Sequence, residues 1–162
     1  MMQDNTNKNE MLEIEAWSKN LTDYSKTGFH SNYFVDTDKI LPSVNYLKEI
    51  GFFLEDLTGV DVKEGIMLVY HFDRLEHSSR ITLRAIVGHD LKVAPSIVSI
   101  YKGADWHERE CFDFFGVRFE NHPNLKPLLL PDDLGIHPLL KEKDRKSVYT
   151  LLDFNMLADN KR

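Results

Sequence analysis

Apolar positions along the chain change their spacing twice, and each change marks a change of predicted structure. Between Met11 and Tyr24, the residues Ile14, Trp17, Leu21 and Tyr24 recur at intervals of three and four, which predicts one amphipathic helix. Residues 1–10 ahead of it are largely polar and read as a disordered segment or an adaptor to a neighbour. Tyr33, Phe34 and Val35 suggest a short strand. Asp36, Thr37 and Asp38 then offer helix caps, and because Pro42 fits only a first turn, a second helix is expected from near Ser43 to Ile50, ended by Gly51.

In the middle of the chain the period falls to two. Phe52 to Val62, Ile66 to Phe72 and Arg80 to Val87 read as strands; in the last, Ile81, Leu83 and Ala85 alternate with Arg80, Thr82 and Arg84, so one sheet face is expected to be covered and the other wetter. The connections 63–65 and 73–79 are short enough for antiparallel hairpins. Strands clustered between helices predict an α+β fold: a single domain over 11–124, with a mixed or antiparallel sheet and helices on one side.

The helical period returns after a turn over 95–101. Asp105 is a good N-cap residue and Glu108 stands three positions on, where a carboxylate can reach back to the cap, so a helix is expected from Trp106 to the glycine stop at Gly116. Phe112, Phe114, Phe115 and Cys111 spread over one side of it, with His107 and Glu108 at that side's N-terminal end. Trp106, Arg109, Glu110 and Asp113 collect on the other, where Arg109 and Asp113 are placed to pair. Val117 and Phe119 alternate with Arg118 and Glu120 as in a half-buried strand, and Asn121-His122-Pro123-Asn124 is turn chemistry. From 125 to 162 the text changes again. Pro127, Pro131, Gly135 and Pro138 interrupt a run of leucines, so these residues form an extended Pro-rich arm that lies over another surface or folds back over its own domain. Val148 to Leu157 reads as a short strand or helix.

Composition narrows the function. A chain of 162 residues with 42% hydrophobic and 28% charged residues is ordinary for one globular domain, and a net charge of −6 argues against a nucleic-acid or anionic-membrane surface. One cysteine, Cys111, leaves no internal disulfide and too few thiolates for an iron–sulfur cluster held by this chain alone. The opening residues lack the apolar core of a signal peptide, and no apolar run approaches the roughly 20 residues of a membrane span, so contact with a membrane is expected only through other subunits.

Candidate chemistry is sparse. His107-Glu108-x-x-Cys111 imitates the helical two-ligand site of zinc hydrolases, but the second ligand is Cys and no third is placed. His122-Pro123 and His137-Pro138 sit in turn contexts, where an imidazole commonly bonds a local carbonyl. Glycine-rich phosphate loops and a nucleophile elbow are absent, which points away from nicotinamide, flavin or nucleotide sites and from a free-standing enzyme. A metal-dependent hydrolase using His107, Glu108 and His122 stands as the rival class.

The run from 104 to 129 resembles the signature of the 30 kDa (C-type) subunit of NADH-quinone oxidoreductase (respiratory complex I) and its relatives in energy-converting hydrogenases. The pattern is Glu-Arg-Glu, an acid after two residues, two bulky apolar residues, a His after six more, and a basic residue leading to an apolar pair. It falls on Glu108, Arg109, Glu110, Asp113, Phe114, Phe115, His122, Lys126, Leu128 and Leu129, with Pro123 beside the His. The resemblance runs from about 50 to 140 and takes in 54–61, the strand ending at His71, and Leu130-Pro131-Asp132-Asp133. It implies a cofactor-free subunit of a hydrophilic arm, with iron–sulfur clusters, quinone or a nickel–iron centre held only by partners. Those partners would be the large catalytic subunit and the small iron–sulfur subunit, on the cytoplasmic side of a membrane. Signature residues, Arg109, Glu110 and Asp113 above all, are expected to form the docking surface. The later stretch departs from the family: Gly135-Ile136-His137-Pro138-Leu139-Leu140-Lys141 lacks its arginine and closing proline.

Overall fold

The computed structural model describes residues 11–75, 79–131 and 135–141; the expectations for 1–10 and 148–157 lie outside them. At the N-terminus the expected amphipathic helix does not form. The chain runs irregularly to β1 (Ser18–Leu21) and makes one turn, α1 (Tyr24–Thr27), between the Asp23 cap and Gly28. Of the apolar stripe only Ile14 is buried, while Trp17, Leu21 and Tyr24 stay exposed. Backbone pairing decides here: β1 joins β2 (Ser31–Val35) antiparallel, and Trp17 donates its N–H to the Phe34 carbonyl.

A 3-10 turn over Thr37–Lys39 leads into α2 (Ile40–Glu49), which begins at Ile40 rather than near Ser43. Pro42 sits in its first turn, where the missing N–H forfeits no helical bond. The central strands are β3 (Phe52–Val62), β4 (Gly65–Arg74) and β5 (Ile81–Val87), as expected. Sheet order is β1-β2-β5-β4-β3, antiparallel except for the β2–β5 pair. The sheet is therefore mixed.

Register places Tyr33, Leu83, Tyr70 and Leu57 side by side across four strands. That row enters the main core together with Val44 and Leu47 of α2 and Cys111 and Phe115 of α3 (Ala104–Phe115), so both longer helices cover one face. The opposite face is not wet at its centre. Phe34, Val62, Met67 and Val69 form a second buried cluster, Thr82 donates to Asn32 at 2.8 Å, and the buried Arg84 lays its guanidinium over Phe29 and Phe34. Burial lowers the pKa of Arg84 to about 10.

Two short strands, β6 (Val93–Pro95) and β7 (Arg118–Glu120), pair in parallel beside this sheet and bracket α3. Between β6 and α3, Ile100 and Tyr101 both donate to the Ile97 carbonyl, the helical turn expected there. The signature helix α3 lies on edge strand β3 at Gly59, where an added Cβ would come within 2.7 Å of the Phe115 ring.

Candidate functional site

Helix α3 starts without a side-chain cap. Gly103 is the cap residue, and the first amides, of Ala104 and Asp105, donate to the carbonyls of Tyr101 and Lys102. The preceding turn thus takes up donors that a cap would serve, and Asp105 lies inside the helix rather than ahead of it. Glu108 has no capping role either. Its side chain is 0% exposed, and Oε1 accepts the Ile97 N–H at 2.7 Å, tying the residues after β6 to the helix. The other end of α3 is as expected, with Gly116 at φ +72° and its N–H donating to Phe112.

The polar edge expected to carry Trp106, Arg109, Glu110 and Asp113 divides in two. Trp106 (68% exposed) and Glu110 face outward. Asp113 is buried, and its Oδ2 accepts the N–H groups of Leu128, Leu129 and Leu130 at 2.8, 2.8 and 3.2 Å. Arg109 donates through Nε to the Lys126 carbonyl and through Nη2 to that of Pro127, at 3.0 and 2.9 Å. The expected Arg109–Asp113 pair is replaced by these bonds to the arm; the acidic neighbour of Arg109 is instead Asp105, at 3.9 Å. One residue of the signature thus holds carbonyls and the other amides of the same strip of backbone. Lys126 contributes its carbonyl, and Leu128 and Leu129 their amides.

The arm continues along its own domain. His137 Nδ1 stands 2.8 Å from the Asp113 carbonyl, Leu139 donates to Phe114, and Lys141 donates to the buried Asp61 of β3 at 2.6 Å. Of the two courses open to the arm, the described residues take the second, over their own domain. Leu129 (64% exposed), Ile136 and Leu139 nevertheless point their side chains out.

His122 lies in the turn after β7 beside Pro123, its imidazole 0% exposed, with Nε2 3.7 Å from Asp105 Oδ1 and 3.9 Å from Glu108 Oε2. The hydrolase reading asks His107, Glu108 and His122 to converge. His107 instead reaches round the sheet edge to Asp56, at 3.3 Å, which also faces His71 at 3.7 Å. Burial lowers the His71 pKa, and Asp56 opposes that shift. Burial pushes the Cys111 thiol well up, with Glu110, Glu108 and Asp56 adding to it, so the thiolate that would ligate or attack is disfavoured. Among the described residues no group of three or more His, Cys, Asp and Glu is arranged to hold a metal. The spacing of apolar residues carries no signal for Asp56, Asp61, Tyr70 or His137 as partners of the signature.

A mixed sheet with helices on one face, and a helix whose acid and arginine clasp a following arm, make up an α+β domain of the kind the signature implies. Known proteins agree. Residues 33–149 match the model of the family described as respiratory-chain NADH dehydrogenase, 30 Kd subunit, and the chain belongs to that family. The C-type subunit of the F(420)H(2) dehydrogenase of Methanosarcina mazei is 40% identical over 114 residues, 67% of this chain and 72% of that protein. The C-type subunit of the NADH-quinone oxidoreductase of Chloroherpeton thalassium is 39% identical over 95 residues, 57% of this chain but 40% of the relative's length. Among solved structures, a chain of the membrane-bound sulfane sulfur reductase, an archaeal respiratory membrane complex, superposes with a TM-score of 0.64 at 29% identity, covering 82% of this chain and 81% of that one. This chain is therefore a subunit of a complex I-like oxidoreductase. No helix among its described residues is long and apolar enough to cross a membrane.

Proposed function

We propose that the chain is a cofactor-free structural subunit of the hydrophilic arm of such a complex, on the cytoplasmic side. It docks on the large catalytic subunit next to the small iron–sulfur subunit, meets the membrane arm only through them, and supports electron transfer coupled to ion translocation. Clusters, quinone or a nickel–iron centre belong to the partners.

One observation carries this reading. The backbone of the arm is fixed by Arg109 and Asp113, yet Leu129 is 64% exposed, and Trp106, at the outer edge of α3, is 68% exposed. Holding apolar side chains outward on a fixed backbone lowers the ordering cost of docking them elsewhere. The relatives named above differ in their donors or acceptors, which supports a subunit that holds the electron-transfer module together without choosing its substrate.

The test is recovery of the whole complex from membranes through a tag on this chain. Leu129→Asp and Trp106→Ser are expected to leave the thermal midpoint of the isolated chain unchanged while reducing the co-purified large subunit by more than about tenfold, as for a buried interface anchor. Normal recovery with both variants would overturn the docking face. Nickel-binding cysteines in the recovered large subunit would make the parent complex a hydrogenase.

A further inference from the structure

Glu108 lies where three segments meet: the residues following β6, helix α3, and the turn after β7. Oε1 is used by the Ile97 amide, whereas Oε2 is buried with no hydrogen-bond partner among the described residues. An ionised carboxylate in that position would need a cation or several donors. His122 is the one basic group among the described residues that faces it, and its Nε2 stands 3.9 Å from Oε2, outside hydrogen-bond reach. The Asn124 N–H donates to His122 Nδ1 at 3.0 Å, which requires a lone pair on Nδ1 and puts the hydrogen on Nε2. Nε2 points at the Asp105 carbonyl, 3.3 Å away.

The remaining neighbours are neutral or acidic, and of these only the Ser96 hydroxyl favours the ionised carboxylate, weakly enough that it does not complete the geometry of a hydrogen bond to Oε2. Asp105 and Cys111 face Glu108 from its own helix, Tyr70 from β4 and Ser96 from the segment after β6. The Tyr70 hydroxyl is buried and also without a partner among the described residues. Arg109, on the same helix, is turned to the arm.

We propose that Glu108 is held as a neutral carboxylic acid in the folded protein on the acid side of neutrality, and that loss of its proton loosens the joint between α3 and the residues after β6. Burial, reinforced by Asp105 and only partly offset by Ser96 and the Ile97 amide, raises its pKa to about 7, in keeping with that assignment. The junction is thus a brace that a change of pH near neutrality releases.

The full-length chain, labelled with 13C at glutamate carboxyls, tests this directly. The Glu108 signal is expected to titrate near 7, and a midpoint in the ordinary glutamate range overturns the proposal. Amide exchange at Ile97 gives an independent reading. Its protection factor is expected to fall about tenfold per pH unit between about pH 5 and 7, then level off, because the open state releases one proton that the closed state holds. In Glu108→Gln, which keeps the acceptor for Ile97 and cannot ionise, the factor is expected to stay flat. A flat profile in the unaltered protein, or the same slope in both, overturns the proposal.

Discussion

One carboxylate oxygen of Asp113 accepts three consecutive amides of the arm, a concave set of N–H groups that suits an anion. Hydrogen bonds to a charged partner contribute roughly 1.5–3 kcal/mol each, but the arm is only half-buried and its freed amides regain water. Asp113→Ala is therefore expected to cost about 2–4 kcal/mol, measured by denaturant unfolding, with loss of exchange protection at residues 128–130. Asp113→Asn keeps an acceptor without the charge and should fall between. Unchanged stability in both would mean that Arg109 and Lys141 suffice to hold the arm. Glu108 acts with the opposite sign to a salt-bridged acid. Its folded carboxyl keeps the proton up to about 7 whereas the unfolded one releases it near 4.5. Stability is then greatest below the unfolded value, declines as pH rises between the two, and above the folded value is lower by about 3 kcal/mol. Melting curves on either side of that window, for the native chain and for Glu108→Gln, measure the decline.

Among the elements, α3 and β3 fit because position 59 has no side chain. The Cβ of Gly59→Ala would meet the Phe115 ring at 2.7 Å, so the ring or the helix must move. That overpacking is expected to cost about 1–3 kcal/mol in thermal unfolding, and a stability equal to the parent would show that Phe115 has a second place to go. Much of this layer is legible in the sequence: the strands β2 to β5 and β7, the Gly116 stop and the family all read correctly from period and motif. The failures have physical causes. An interval of three or four cannot distinguish an amphipathic helix from an edge segment that leaves Trp17 and Tyr24 half exposed. A strand of three residues, as β6 is, carries too few alternations to register, although β7 reads correctly as half-buried. In the sequence Asp113 reads as a partner of Arg109 on an outward edge because its actual partners are backbone amides 15 to 17 positions away, and amides leave no trace in residue type.

At the scale of the whole molecule, the chain belongs to an assembly, and its arm is fastened to its own domain while Leu129 and Leu139 stay exposed. Backbone bonds to Asp113, Phe114 and Asp61 are complete within one chain. Amides at 128–130 and at 139 and 141 are accordingly expected to exchange slowly in the isolated subunit and no more slowly in the complex. Fast exchange before assembly would show that the partner, not the domain, orders the arm. The clasp has a consequence for the integrity of the chain. Arg109 and Asp113 treat residues 126–130 as a bound peptide, whose tether in the turn 121–124 only raises its local concentration. A protease cut at that turn would therefore leave two fragments that stay together, a nick visible on a denaturing gel but silent in the assembled complex.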